Sequence, residues 1–191
     1  MELDKDLKAR QEARCLAKGA EEAQKQLAGM SQQQLDAITE KIAEAFCAAA
    51  QRLGQMAVEE TGFGNVPDKK VKNEFASRRV LEAIRPMKTV GVLKTHPGEK
   101  LWEVGVPVGV IAAIVPSTNP TSTVCYKAMI ALKAGCSIVF SPHPKAIRCT
   151  LEAARIVAEA AEAAGAPKGA VGCLSIASMA GCQIGRASCR E

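Results

Sequence analysis

Apolar residues recur at three- and four-residue steps through most of the first half of the chain. After Ser31 the run consists of Leu35, Ile38, Ile42, Phe46, Ala49, Leu53 and Met56. Only a helix places residues with this spacing on one face. Ser31 and Gln34 form a capping-box pattern before the run, and Gly62 offers the left-handed conformation that ends helices. The pattern therefore predicts one helix from Ser31 to about Thr61.

Two more helices flank this one in the sequence. An Ala-rich helix precedes it and ends near Gly29, and a third helix stops before Pro86. The apolar positions of the third helix are Val71, Phe75, Val80, Leu81 and Ile84. We interpret all three helices as packing elements without a part in chemistry.

The period changes to two in residues 89–106. Two β-rich runs, 89–95 and 100–106, are separated by a His-Pro-Gly-Glu turn at 96–99, which predicts a β-hairpin. Too little neighbouring sequence is available to cover both faces of this hairpin. We therefore expect it to pair with another part of the protein or with another subunit.

From Pro107 onward the pattern alternates between strand and helix. The run 108–115 is apolar without alternation, which is typical of a parallel strand covered on both faces. The predicted order is strand, helix, strand, helix, strand over 108–115, 121–134, 137–140, 145–164 and 171–176. The fold class is thus α/β, with N-terminal helices, a doubly wound, Rossmann-like parallel sheet and a protruding hairpin.

Two chain breakers follow the first two strands of this unit. They are Pro-Ser-Thr-Asn-Pro at 116–120 and Ser-Pro-His-Pro at 141–144. In doubly wound sheets, ligands bind at the carboxyl ends of the strands, where both breakers fall. The G-x-G-x-x-G fingerprint of dinucleotide sites is missing after the first strand, so spacing alone supports a nucleotide site only weakly.

Composition narrows the function classes. The net charge is +5, from 25 Lys and Arg against 20 Asp and Glu, and 3% of residues are aromatic. The charges are mixed rather than clustered and few rings are present to stack bases, so we expect no nucleic-acid partner. The apolar run 108–115 is far shorter than the roughly 18 residues that span a bilayer, and no N-terminal signal region is visible. We expect a soluble, cytoplasmic protein without a membrane partner.

The eight cysteines contain no C-x-x-C pair, and only two histidines would join them as ligands, which argues against any metal site. Cysteines in Ala-rich helices and apolar strands are typical of small core residues in a reducing compartment. Residues 184–191 interrupt the apolar pattern and resemble a non-native tail. We therefore treat 1–183 as the helical segment plus a partial nucleotide-binding domain, and expect the natural protein to continue further.

The residues at both breakers resemble the CoA-acylating aldehyde dehydrogenases, a family that includes acetaldehyde and propionaldehyde enzymes and half of the bifunctional aldehyde-alcohol dehydrogenases. The decapeptide 114–123, Ile-Val-Pro-Ser-Thr-Asn-Pro-Thr-Ser-Thr, and the Phe-Ser-Pro-His-Pro segment at 140–144 carry the resemblance. Segments 72–77 and 164–168 add to it. It covers about residues 20–173, which is less than half of a family member, so the nucleotide-binding domain would be incomplete.

This resemblance implies an oxidoreductase that interconverts a short-chain aldehyde and its acyl-CoA with NAD and coenzyme A. A cysteine thiolate adds to the aldehyde, hydride passes to NAD, and the thioester is transferred to coenzyme A. The family's nucleophile would lie downstream of this chain, so the chain alone would be inactive. The resemblance also makes the hairpin an oligomerisation element, which implies a homo-oligomer, and allows a place in the lumen of a bacterial microcompartment.

The resemblance assigns the catalytic role to Asn119, whose amide would donate to the developing oxyanion. Spacing alone favours another interpretation, in which Asn119 forms a turn or starts the next helix. The cofactor-binding residues that the resemblance implies are Ile114, Val115, Pro116, Ser117, Thr118, Asn119, Ser141, Pro142 and His143. His143 equally fits a solvated loop histidine.

Other aldehyde dehydrogenases place Lys-Pro where this chain has Ser141 and Pro142, which leaves the choice between NAD and NADP open. Cys125 and Cys136 flank the helix after the Asn119 loop, and we expect them to pack in the core. Glu59 and Glu60 are predicted to form a solvated helix end. Two alternatives remain: a hydrolytic NAD(P)-dependent aldehyde dehydrogenase, and a catalytically inert fragment that binds nucleotide or partner subunits.

Overall fold

The structure, a computed structural model, describes residues 4–182. The predicted non-native tail at 184–191 lies outside this range. The first part of the described chain is helical, followed by a two-stranded hairpin and a three-stranded parallel sheet. The helices before the hairpin are α1 (Lys5–Leu27), α2 (Gln32–Ala48), α3 (Ala50–Thr61), α4 (Val66–Glu74), a π-helical turn (Phe75–Arg79) and α5 (Val80–Ile84).

The capping box predicted at Ser31 is confirmed at the start of α2. The Ser31 hydroxyl accepts from the Gln34 N–H, and the Gln34 side chain accepts in return from the Ser31 N–H at 2.9 Å. The prediction of one helix up to Thr61 is wrong, because Ala49 (φ −89°, ψ 0°) separates α2 from α3. Phe46 and Leu53 on either side are both fully buried, so the apolar spacing continues across the break and conceals it.

The third predicted helix is regular only in part. The N–H of Val80 donates to the carbonyl oxygen of Phe75, the bond of a π-turn, which adds one residue to the helical repeat. The apolar face before the turn is therefore out of phase with the face after it. Val71 and Phe75 are each 62% exposed, against the expectation that they pack, whereas Val80 and Leu81 pack against the core.

The hairpin predicted over 89–106 is confirmed. It consists of β1 (Gly91–His96), a short 3-10 turn (Pro97–Glu99) and β2 (Leu101–Gly105), paired antiparallel. Within residues 4–182 these two strands pair only with each other. Their large apolar side chains are exposed, namely Val92, Leu93, Leu101, Trp102 and Val104.

The predicted strand and helix order after the hairpin is also confirmed. Its elements are β3 (Val110–Val115), α6 (Pro120–Lys133), β4 (Ser137–Pro142), α7 (Ile147–Ala163) and β5 (Val171–Cys173). The strands are parallel in the order β3-β4-β5. Gly135 (φ 71°) takes the left-handed conformation after α6, as its position predicted. The last strand ends at Cys173, three residues earlier than expected.

The expectation that the first parallel strand is covered on both faces is wrong for the described residues. Strand β3 lies at one edge of the sheet, and Ile114 is 56% exposed while Val115 is buried. Val108, assigned to this strand from the sequence, lies before it and is 81% exposed. Strand β4 is central instead, and its Ile138 and Phe140 are fully buried.

The core lies between the sheet and helices α2, α6 and α7. Leu35, Ile42, Met129, Leu132 and Val157 are among its fully buried side chains. A partly buried ion pair links α6 to α2, since the Nζ of the buried Lys133 lies 2.5 Å from an Asp36 carboxylate oxygen. This packing sets the position of α6, whose first residues follow the Asn119 loop. No helix in residues 4–182 is long and apolar enough to cross a membrane.

Candidate functional site

The two breakers predicted at the strand ends lie side by side. In the parallel register, Ile114 is paired with Ser141 and Val115 with Pro142. Beyond the strands, the His143 N–H donates to the Val115 carbonyl oxygen at 3.1 Å. The segments 114–119 and 141–143 therefore share the carboxyl edge of the sheet. We call this edge the candidate site.

The residues predicted to line a cofactor differ in their exposure. Val115 and Pro142 are buried, so only their backbone is available to a ligand. The other side chains reach solvent: Ile114, Pro116, Thr118 and His143 are exposed, and Ser117, Asn119 and Ser141 are half-buried. The exposed Ile114 also has its carbonyl oxygen bound by the Lys127 Nζ at 2.9 Å. The segments thus present an accessible surface above a buried strand end.

Asn119 immediately precedes helix α6, but its side chain does not cap the helix. No capping hydrogen bond from the side chain exists, and the first helical residue is Pro120, which has no N–H to donate. The backbone carbonyl of Asn119 instead accepts from the Thr123 N–H at 3.2 Å and from its hydroxyl at 2.6 Å. The amide of Asn119 is therefore not used to cap α6.

Two lysines of α4 contact the loop that contains Asn119. Lys69 is 5% exposed, and its Nζ donates to the Thr118 carbonyl oxygen. The Nζ of Lys72 donates to the Asn119 Oδ1 at 3.3 Å. Burial, together with the nearby charge of Lys72, lowers the pKa of Lys69 from its ordinary value. Neither lysine was predicted as a site residue, although Lys72 begins the segment 72–77 and the spacing of three residues places both lysines on one helix face.

A buried hydrogen-bond chain fixes α4 against the start of α6. The Asn73 amide donates to the Ala50 carbonyl oxygen at 3.0 Å, and its Oδ1 accepts from the Thr121 hydroxyl at 2.8 Å. Asn73 and Thr121 are each 1% exposed. Because an unpaired buried amide is costly, these bonds specify how α3, α4 and α6 meet. The lysines of α4 are therefore held beside the loop.

The cysteines near the site pack in the core, and two of them, Cys125 and Cys149, are held protonated. Burial raises the pKa of Cys125 well above its ordinary value, and its Sγ donates to the Ala76 carbonyl oxygen at 3.7 Å. Burial, with the neighbouring Glu60 carboxylate, raises the pKa of Cys149 to about 12. Cys136 is also buried. The nucleophile of a thiol reaction is the thiolate, which the environments of Cys125 and Cys149 disfavour.

Glu60 does not form the solvated helix end that we expected. Its carboxylate accepts from the backbone N–H groups of Arg148 and Cys149, at 2.8 and 2.7 Å, and its side chain is 12% exposed. Glu60 thus caps the N-terminus of α7 from the end of α3, a contact across 88 residues of sequence. Partial burial opposes its ionisation, but the two backbone donors, the Cys149 thiol and the charge of Arg148 together outweigh this, so the pKa of Glu60 is lowered.

Glu60→Gln is expected to lower the free energy of unfolding by about 1 kcal/mol at pH 7, because the charged cap of α7 is lost. A lowered native pKa means that the carboxylate stabilises the fold above its ordinary value of 4.5 and loses this effect as the pH falls through the native pKa. The difference between wild type and variant should therefore narrow below about pH 4.5. Urea unfolding at several pH values measures it.

The matched control for this experiment is Glu59→Gln, which changes the neighbouring carboxylate. Glu59 is exposed and is bonded only to the Gln55 side chain in the described contacts, at 2.8 Å. The Glu59→Gln variant should have a free energy of unfolding within about 0.5 kcal/mol of wild type. An equal loss in both variants, or a Glu60→Gln loss independent of pH, would contradict the capping role.

A groove of about 690 Å³ lies elsewhere, between α2 and the segment 74–85. Its lining is dominated by long charged side chains: Glu40, Lys41, Glu44, Glu74, Arg78 and Arg85. Several of these are exposed, and none follows a strand of the sheet. The topology of the sheet therefore favours the strand ends as the candidate site.

The donor set at the strand ends fits one wall of a dinucleotide site. The hydroxyls of Ser117, Thr118 and Ser141 are neutral groups that both donate and accept hydrogen bonds. The ribose hydroxyls and the carboxamide of a nicotinamide dinucleotide require partners of this kind. Within residues 4–182 no group of three or more His, Cys, Asp or Glu side chains is arranged to hold a metal ion. The arrangement is that of a nucleotide-binding α/β domain of the doubly wound class.

The chain belongs to the aldehyde dehydrogenase family, whose family model matches residues 6–188. Among curated proteins, it is 44% identical over 161 residues to the bifunctional aldehyde-alcohol dehydrogenase AdhE of Escherichia coli K12. That match covers 84% of this chain and 18% of the relative. The chain thus spans less than a fifth of this relative's length.

Solved structures agree with this placement. An acetylating aldehyde dehydrogenase from Geobacillus thermoglucosidasius is 52% identical with a TM-score of 0.94, and a probable aldehyde dehydrogenase from Listeria monocytogenes EGD-e is 53% identical with the same score. Each match covers 95% of this chain and 40% of the solved one. The resemblance to the CoA-acylating branch that the strand-end segments carried is confirmed.

Proposed function

We propose that this chain is the N-terminal part of a CoA-acylating aldehyde dehydrogenase. The full-length protein would interconvert a short-chain aldehyde and its acyl-CoA, with NAD and coenzyme A, through a cysteine thioester. The relatives named acetylating or aldehyde-alcohol dehydrogenase support the reaction class. The thiol nucleophile is proposed to lie beyond this chain.

The observation that carries the proposal is the position of Asn119. Its half-buried side chain lies at the carboxyl edge of the sheet, is not used to cap α6, and belongs to a loop held by α4. A side-chain amide at such an edge is a suitable donor to the oxyanion that forms when a thiolate attacks an aldehyde. In the proposed reaction Asn119 is therefore the catalytic residue of this chain.

The segments 114–118 and 141–143 are proposed to form one wall of the coenzyme site. NAD, when bound, would accept the hydride that leaves the aldehyde carbon. The backbone of Val115 and Pro142 would support it from below, and the hydroxyls of Ser117, Thr118 and Ser141 would orient it.

A hydrolytic aldehyde dehydrogenase is the alternative within the family. It would release a free acid and would require no coenzyme A. The Ser-Pro-His segment at 141–143, in place of the Lys-Pro of other aldehyde dehydrogenases, and the acetylating relatives favour the acylating reaction.

The dependence of turnover on coenzyme A tests the proposal. With acetaldehyde or propionaldehyde and NAD, the full-length protein is expected to give steady NADH formation only when coenzyme A is present, with acyl-CoA as the product. Without coenzyme A, NADH formation should stop after about one equivalent per active site, because the thioester accumulates. Steady release of free acid without coenzyme A would show the hydrolytic reaction instead. Absorbance of NADH and mass spectrometry of the product measure both.

The chain of 191 residues alone is proposed to be inert, the second alternative set out from its sequence. Burial, with a smaller contribution from Glu12, raises the pKa of Cys173 to about 12, and Cys125 and Cys149 are likewise held protonated. These thiols do not supply a reactive thiolate at neutral pH. We also propose the division into 1–183 and a non-native tail at 184–191, because residues 184–191 interrupt the apolar pattern of the chain.

We propose a homo-oligomer whose contacts include the hairpin. Trp102 is 68% exposed and Val104 51% exposed on a strand pair that has no further strand beside it in residues 4–182. Apolar side chains on a projecting hairpin are suited to burial between subunits. For location we propose the cytoplasm or the lumen of a bacterial microcompartment, where the thiols of the described cysteines remain reduced.

A further inference from the structure

An asparagine amide stabilises an oxyanion with only one of its two ends. The nitrogen end donates two N–H groups, whereas the oxygen end only accepts and would repel a developing negative charge. The two ends have nearly the same shape, so packing alone does not select between them. The proposed role of Asn119 therefore requires a neighbour that distinguishes oxygen from nitrogen.

Lys72 makes this distinction. A lysine ammonium has three donors and no acceptor, so it binds an amide only through the oxygen. The Lys72 Nζ lies 3.3 Å from the Asn119 Oδ1. With the oxygen directed to α4, the NH₂ group of Asn119 must point away from α4. A rotation that exchanged the two ends would place N–H groups against a cation.

We propose that Lys72 is the positioning residue that orients the Asn119 amide for oxyanion binding. This inference rests on the proposed function, since it assumes the oxyanion role of Asn119. The charge of Lys72 also polarises the amide, which strengthens the N–H groups as donors.

The surrounding contacts hold Lys72 in place on both sides. One turn earlier, Lys69 is bonded to the Thr118 carbonyl oxygen next to Asn119. The next residue, Asn73, is bonded to Thr121 at 2.8 Å, two residues after Asn119. Helix α4 itself is capped by Asn65, whose Oδ1 accepts from the Asp68 N–H at 2.9 Å. The helix and the loop are therefore fixed relative to each other. The Lys72 contact lies between the hydrogen bonds of Lys69 and Asn73.

The test compares three lysine variants in the full-length protein. Lys72→Met removes the donor, Lys72→Arg keeps a cationic donor, and Lys70→Met is the control, an exposed lysine on the same helix whose ion pair with Glu74 is long, at 3.8 Å. We expect kcat/KM for the aldehyde to fall about tenfold in Lys72→Met. Lys72→Arg should restore it to within about threefold of wild type, and Lys70→Met should leave it unchanged. The Kd for NAD should be the same in all variants.

A double-mutant cycle with Asn119→Ala separates positioning from any independent effect of the charge. Once the amide is absent, Lys72→Met should cause no further loss beyond about twofold. Unfolding midpoints close to wild type confirm that the exposed Lys72 position tolerates the change.

The outcomes distinguish this inference from the proposed function. If Asn119→Ala is slow but Lys72→Met matches wild type, the positioning role is overturned and the oxyanion role stands. An equal loss from Lys72→Met with and without the Asn119 amide overturns it as well, because Lys72 would then act on its own. If Asn119→Ala retains the wild-type rate, the proposed function fails first.

Discussion

Replacing Asn119 by alanine is expected to lower the acylating rate of the full-length protein by about a hundredfold or more, the usual loss when one oxyanion donor is removed. The effect should appear in kcat and in kcat/KM alike, because the amide contacts the charge only after the thiolate has attacked. Steady-state kinetics of NADH formation with saturating coenzyme A measure this change.

The control is coenzyme binding by the same variant. The side chain of Asn119 does not cap α6, so its removal should leave the fold and the Kd for NAD close to wild type. A wild-type rate in Asn119→Ala would eliminate the oxyanion role. A Kd for NAD about a hundredfold higher than that of wild type would instead assign Asn119 to coenzyme binding.

Phe140→Ala is expected to have the largest effect on stability, a loss of about 3 to 5 kcal/mol in the free energy of unfolding. Phe140 is fully buried in the central strand β4, between Ala113 on β3 and Cys173 on β5. Truncating its ring leaves a cavity in the core. Urea unfolding followed by circular dichroism measures the loss.

Phe63→Ala is the matched control, since it removes the same ring from a position that is 44% exposed. It should cost about 1 kcal/mol or less. Equal losses from the two substitutions would contradict the assignment of β4 to the centre of the core.

Local chemistry made most of the fold predictable. The capping box at Ser31 and the glycine after α6 are determined by neighbouring residues, so they are visible in the sequence. The break at Ala49 and the π-turn at Phe75–Arg79 are not, because alanines fit a continuous helix as well as an interrupted one, and apolar residues lie on both sides of each interruption. The exposure of β3 was missed because an apolar run does not reveal which residues cover it.

The candidate site, like the fold, was predictable from the sequence only in part. Parallel topology was sufficient to bring Asn119 and His143 to the same edge of the sheet. Lys72 and Glu60 make their contacts across 47 and 88 residues of sequence, and no periodicity indicates which residues meet over such distances. Their roles depend on how α3 and α4 pack against the sheet, which only the three-dimensional structure describes.

A crystal structure of the full-length acyl-enzyme with coenzyme bound, at a resolution that distinguishes the amide nitrogen from the oxygen, measures the direction of the Asn119 amide. We predict about 2.7 to 3.1 Å between the Asn119 Nδ2 and the carbonyl oxygen of the thioester, with the Oδ1 on Lys72. An acyl oxygen more than about 4 Å from Nδ2, or bound by other donors alone, would contradict the account.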